Sequence, residues 1–126
     1  MPSRIVVAKE LADIFKVLSH PDRLRIIEEL RAGQMDVNTL HMSLGLPATR
    51  VSQHLSLLRA HRLVTDSRDG RHVYYALTQP DLAAWVVDGL RFIESRMASD
   101  SQGRRALRKA RELWSTENPA SKPNDK

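Results

Sequence analysis

Between Ala48 and Arg62 the chain reads ATRVSQHLSLLRAHR. Wound as a helix, this segment gathers Val51, Leu55 and Leu58 on one side. Thr49, Gln53, Ser56 and Ala60 fall opposite. Arg50, Ser52 and Leu57 flank that outer face, and His54 sits at the edge of the apolar one. An outer face of small, hydrogen-bonding residues suits close approach to another surface better than it suits simple solvation. The residue types match the edges of base pairs. Gln can bond adenine bidentately, Arg can do the same to guanine, and Thr offers both a hydroxyl and a methyl. Thr49, Arg50 and Gln53 lie in the N-terminal half, the part of a reading helix that reaches bases. Ser56 extends their face, and Ser52 and His54 are placed for phosphate.

A second group follows at the tip of a hairpin. Asp69-Gly70 between Arg68 and Arg71 is a strong two-residue turn signal, because both central positions then need positive φ. That turn sets Val64 opposite Tyr75. Arg68 and Arg71 are placed to reach DNA backbone or the adjacent minor groove, with His72 near phosphate. Double-stranded DNA is therefore the expected partner.

Other chemistries find little support. The five histidines, His20, His41, His54, His61 and His72, are dispersed, with no pair at i and i+4, and there is no cysteine. Carboxylate-plus-histidine sites across a dimer stay open, but no metal ligand is assigned and no cofactor is expected. There is no Gly-rich phosphate loop, no G-x-S-x-G and no H-E-x-x-H, so an enzyme is not expected.

These residues need elements to position them. A first helix over Ile5 to Leu18 carries an apolar stripe of Val7, Leu11, Ile14, Phe15 and Leu18. Ser19 is the expected cap of a second helix, with Pro21 in its first turn and Ala32 near its end. Asp36 is the expected cap of a third, and Gly45 permits the left-handed turn into the reading helix. Leu63-Val64-Thr65 and His72 to Leu77 have strand composition. A last long helix runs to Met97 with Leu82, Trp85, Val86, Leu90, Ile93 and Met97 on one face. The expected fold is mainly α with a small β-hairpin: a winged helix-turn-helix over 5–97. Residues 98–126 form a basic extension, a short helix over Arg104 to Trp114 and then a disordered tail. The first and last helices carry more apolar surface than a winged unit can cover. Leu11, Ile14, Phe15, Trp85, Val86, Leu90, Ile93 and Met97 are the expected interface of a homodimer.

The net charge of +5 over 126 residues is mostly a property of the end of the chain, since residues 1–103 carry +1 and 104–126 carry +4. Arg50, Arg59, Arg62, Arg68 and Arg71 still outnumber Asp66 and Asp69 across the reading segment, as phosphate contact requires. The absence of cysteine removes disulfides and thiolate metal ligands and fits a reducing cytoplasm. The N-terminus has no apolar stretch of signal-peptide length and no segment spans a membrane, so a cytoplasmic location is expected.

Four segments taken in order and spacing are specific: His20-Pro21-Asp22-Arg23-Leu24-Arg25-Ile26, Val51-Ser52-Gln53-His54-Leu55-Ser56-Leu57-Leu58-Arg59, Leu63-Val64, and Gly70 to Leu77. Over roughly Leu11 to Met97 the chain resembles the ArsR/SmtB repressors. The resemblance implies a homodimer that binds an inverted-repeat operator and releases it on binding an effector. It also implies dimerisation through the first and last helices. The chain departs from the metal sensors of that family. Gln34-Met35-Asp36-Val37-Asn38 replaces their Cys-x-Cys region, and the last helix offers Asp81, Asp88 and Glu94 but no His. Pro47 replaces the usual capping residue of the reading helix. The expectation left is a small organic molecule near Trp85, a partner protein, or no inducer at all. A thiolate-bound metal or an oxidant is not expected. The alternative reading is a winged-helix module that docks a protein and no longer reads DNA.

Overall fold

The computed structural model describes residues 2–115. They form α1 (Pro2–Leu18), α2 (Pro21–Leu30), β1 (Met35–Asp36), α3 (Val37–Leu44), α4 (Ala48–Ala60), β2 (Val64–Asp69), β3 (His72–Leu77), α5 (Leu82–Asp88), α6 (Leu90–Met97) and α7 (Ser101–Ser115). The chain divides after Pro80 into two compact units. The expected disordered tail, 118–126, lies outside the described residues.

In the first unit, helix ends are set by local chemistry. The cap of α2 is His20, not Ser19: His20 Nδ1 accepts the Asp22 amide at 3.0 Å, while the Ser19 hydroxyl turns back to the Lys16 carbonyl. Pro21 needs no partner for its nitrogen, so the first amide to satisfy is that of Asp22, within reach of the ring before the proline. Asp36 caps α3 as expected, accepting from the Thr39 amide at 2.8 Å. Hydrogen bonding by the Thr39 side chain, and then by its amide, holds the Asp36 carboxyl below its usual range. Gly45 takes φ +69°, and Arg25 of α2 donates to the Leu44 carbonyl at 2.9 Å, bracing the turn from below.

Helix α4 stops at Ala60, two residues before the expected end. Arg62 and Leu63 donate to the carbonyls of Arg59 and Leu58, both at 2.9 Å, with Arg62 at φ +61°. This is a Schellman motif with arginine in the position that favours glycine.

The hairpin departs from its expected register. Asp69 pairs with His72, so the turn is Gly70-Arg71 and Val64 faces Leu77, not Tyr75. Gly70 has φ +64° and Arg71 is not left-handed, the sign pattern of a II′ turn with glycine first. Burial supplies the reason. Val64 and Leu77 are both buried, whereas Tyr75 is half-buried opposite exposed Asp66. A third strand went unanticipated: β1 pairs with β3 through Met35–Tyr75 and Asp36–Tyr74, giving the order β1-β3-β2. Two residues carry no readable period. The core of this unit includes Ile26, Ile27, Leu40, Val51, Leu55, Leu58 and Val64, all essentially inaccessible. Each contributes about 1.5–3 kcal/mol through burial.

The second unit is helical over its described residues. The expected single helix to Met97 is interrupted at Gly89, which separates α5 from α6. α7 begins three residues before the expected Arg104 and folds back on α6. Arg111 pairs with Glu94, Arg104 donates to the Ala98 carbonyl at 2.9 Å, and Leu107 is buried. Gly103 is required at this turn, because a Cβ there would lie 1.8 Å from the Met97 carbonyl oxygen. No described helix is long and apolar enough to cross a membrane.

Candidate nucleic-acid interface

α4 is divided as a reading helix must be. Val51, Leu55 and Leu58 are buried, while Thr49, Arg50, Ser52, Gln53 and Ser56 are exposed. Pro47 precedes the helix without a side-chain capping bond, so the first amides of α4 are not satisfied by a cap. The far end is tied to the hairpin by Arg59, whose guanidinium bonds Asp66 of β2 at 3.2 Å. Arg68, Arg71 and His72 are exposed at the hairpin tip. His72 Nδ1 lies 3.7 Å from Asp36 Oδ2, so His72 also contacts the cap of α3.

His54 does not sit where a phosphate contact requires. It is 9 % exposed and turned inward. Its ring stacks at a tilt 4.6 Å from that of His20. Its Nδ1 is 3.4 Å from an Arg23 nitrogen and its Nε2 is 3.6 Å from Asp22 Oδ2. Burial is the main cause that lowers its pKa below 6.5, followed by the charges of His20 and Arg23, with Asp22 opposing. The wheel position at the edge of the apolar face admits either direction. Packing of α2 against α4 decides it. Sequence reasoning missed this cluster, although His20-Pro21-Asp22-Arg23 was among the distinctive segments.

His20, Asp22 and His54 each bring one potential ligand atom within 4.8 Å of the others. Chain distance hid this from the sequence, where the histidines read as dispersed. The hydrogen bonding does not favour a cation. His20 Nδ1 accepts the Asp22 amide, and His54 Nδ1 faces the Arg23 guanidinium. An arginine nitrogen can only donate, so both Nδ1 atoms serve as hydrogen-bond acceptors and not as free ligand atoms. Arg23 and Arg50 add positive charge beside the group.

The candidate dimer residues fall in both units. Leu11 and Phe15 of α1 are exposed and Ile14 is half-buried; Ile5, Val6 and Val7 extend the exposed apolar face. In the second unit Trp85 is exposed, and Val86, Leu90, Ile93 and Met97 are half-buried.

Residues 20–66, from the cap of α2 through α4 into the wing, match the model of the bacterial regulatory protein, arsR family. Rv0081 of Mycobacterium tuberculosis, an uncharacterized HTH-type transcriptional regulator, is 37% identical over 90 residues, covering 71% of this chain and 78% of that protein. The chain belongs to the arsR family. KmtR of M. tuberculosis, an HTH-type transcriptional regulator, is 35% identical to this arsR-family chain over 80 residues, 64% of it and 62% of KmtR. The chain thus spans about three fifths of the length of that relative. Among solved structures, the transcriptional repressor BigR from Xylella fastidiosa superposes with a TM-score of 0.64 at 30% identity, covering 72% of this chain and 93% of BigR. The winged helix-turn-helix architecture of the arsR family is therefore the architecture of this chain.

Proposed function

We propose that the protein is a DNA-binding transcriptional regulator, a homodimeric repressor of an inverted-repeat operator. One observation carries the reading. Thr49, Arg50, Ser52, Gln53 and Ser56 are exposed on α4, backed by a buried apolar side, in the same unit as an arginine-tipped wing. Thr49, Arg50 and Gln53 read base edges; Ser52 and Ser56 support them; Arg68, Arg71 and His72 hold backbone or minor groove. A protein-docking face would be more apolar: Leu57 is the large apolar residue exposed on that helix.

The exposed apolar faces of α1 and of α5–α6 support the dimer. A second copy covers them, and the two reading helices then stand about 34–36 Å apart, one helical turn of DNA. The effector is neither a thiolate-bound metal nor an oxidant, since the chain has no cysteine to serve either.

Selection of bound fragments from random duplex DNA, followed by footprinting, tests the reading. A pseudo-palindromic site is expected, with affinity falling steeply as salt rises. Affinity indifferent to salt, or a monomer on the selected site by sedimentation, sinks it.

A further inference from the structure

Arg50, assigned above to base readout, does not stand alone at the front of α4. Its guanidinium lies 3.9 Å from Oδ2 of Asp22, a residue of α2. The Arg50 side chain is 54% exposed and that of Asp22 only 16%. The carboxylate is therefore set into the body of the fold while the guanidinium projects outward. The same oxygen lies 3.6 Å from His54 Nε2. Nε2 is buried and makes no hydrogen bond; it faces the Asp22 carboxylate across 3.6 Å. Asp22 is held from its own backbone as well, because its amide donates to His20 Nδ1.

We propose that Asp22 is a positioning residue for DNA reading: braced by His20 and His54 from within, it aims the Arg50 guanidinium at the bases. An arginine on the first turns of a reading helix has several rotamers, most of which point to phosphate or water. A carboxylate beside one nitrogen favours a single direction and leaves the other nitrogens of the fork for guanine. The consequence is selectivity more than affinity. With Asp22 gone, Arg50 still offers its charge to any phosphate, so sequence-independent binding survives while the preference for guanine falls. His54 packs behind the carboxylate from α4, and the His20 cap holds the Asp22 backbone, so this α2 residue keeps its place without lying on the reading helix itself.

The inference rests on α4 being the base-reading helix, and the test separates the two. The full-length protein is compared with Asp22→Asn, Arg50→Ala and the double variant on the selected site and on a version with its arginine-contacted guanine replaced. Asp22→Asn keeps a side chain that suits a helix N-terminus, and thermal melting checks that it is folded. It is expected to cut discrimination between the two sites about two- to fivefold. Affinity for random DNA and the salt slope should stay unchanged. The double variant should discriminate no worse than Arg50→Ala, and Asp22→Glu should recover part of the loss. Unchanged discrimination in Asp22→Asn beside a clear loss in Arg50→Ala overturns the positioning role and leaves the reading of α4 intact. So does additivity in the double variant. No loss in Arg50→Ala overturns both. Stoichiometric, sub-micromolar binding of zinc alone that is lost in His54→Gln also overturns it, since the triad would then be a metal site.

Discussion

On the proposed reading, single side chains on α4 divide into those that specify and those that hold. Gln53 is exposed beside Thr49 and Arg50, so Gln53→Ala and Arg50→Ala are each expected to relax base preference. Removing a bidentate pair of hydrogen bonds to a base costs about 1–3 kcal/mol. Arg71→Ala at the wing should weaken all sequences evenly and reduce the salt slope by about one. A competition assay across site variants at several salt concentrations tells the two behaviours apart. His54 acts at the same scale but inside the fold. Burial lowers its folded pKa below the 6.5 of the free side chain, so the unfolded chain takes up a proton first as pH drops. Its contribution to stability is complete above pH 6.5 and is lost as pH falls from there through the folded pKa. Denaturant midpoints should therefore fall on mild acidification, and His54→Gln should flatten that dependence. Asp36 follows the same sign at lower pH. Hydrogen bonding by Thr39 depresses its pKa below 3.8, so its contribution is present above that value and lost below.

Among the elements, α4 has two ends that fall short of the ideal. Pro47 supplies no capping side chain. Pro47→Ser should add one and stabilise the fold by about 0.5–2 kcal/mol, read as a shift in urea midpoint at constant m. At the other end Arg62 sits at φ +61°. A left-handed non-glycine residue costs about 1–2 kcal/mol, so Arg62→Gly should recover a good part of that, with the helix still ending at Ala60. If Arg62→Gly destabilises instead, the arginine side chain makes contacts that outweigh the backbone strain. The turn before α4 was legible, since Gly45 and Asp36 perform the roles their types indicate. The hairpin register was not, because Asp69-Gly70 and Gly70-Arg71 are both acceptable turns locally. The choice belongs to the buried pair Val64 and Leu77.

For the whole molecule, the apolar faces on α1 and α5–α6 direct attention to a second copy. In the proposed homodimer, Leu90→Asp or Ile93→Asp should dissociate the two copies and abolish operator binding, because each would place an unpaired charge in the proposed interface. The first unit should keep its helical signal, since neither residue belongs to it. A variant that remains a tight dimer by light scattering would place the interface elsewhere. Residue type and spacing alone determined the order of helices, turn, helix and wing, and the polar face of α4. Helical period, capping residues and turn glycines act over a few neighbouring residues, and a sequence displays them directly. Tertiary structure alone decided that His20 and Asp22 meet His54, that His54 points inward, and that Met35–Asp36 joins the sheet. Those contacts join positions remote along the chain. They are fixed by how α2 packs on α4 and how β1 reaches β3, and no local pattern encodes either.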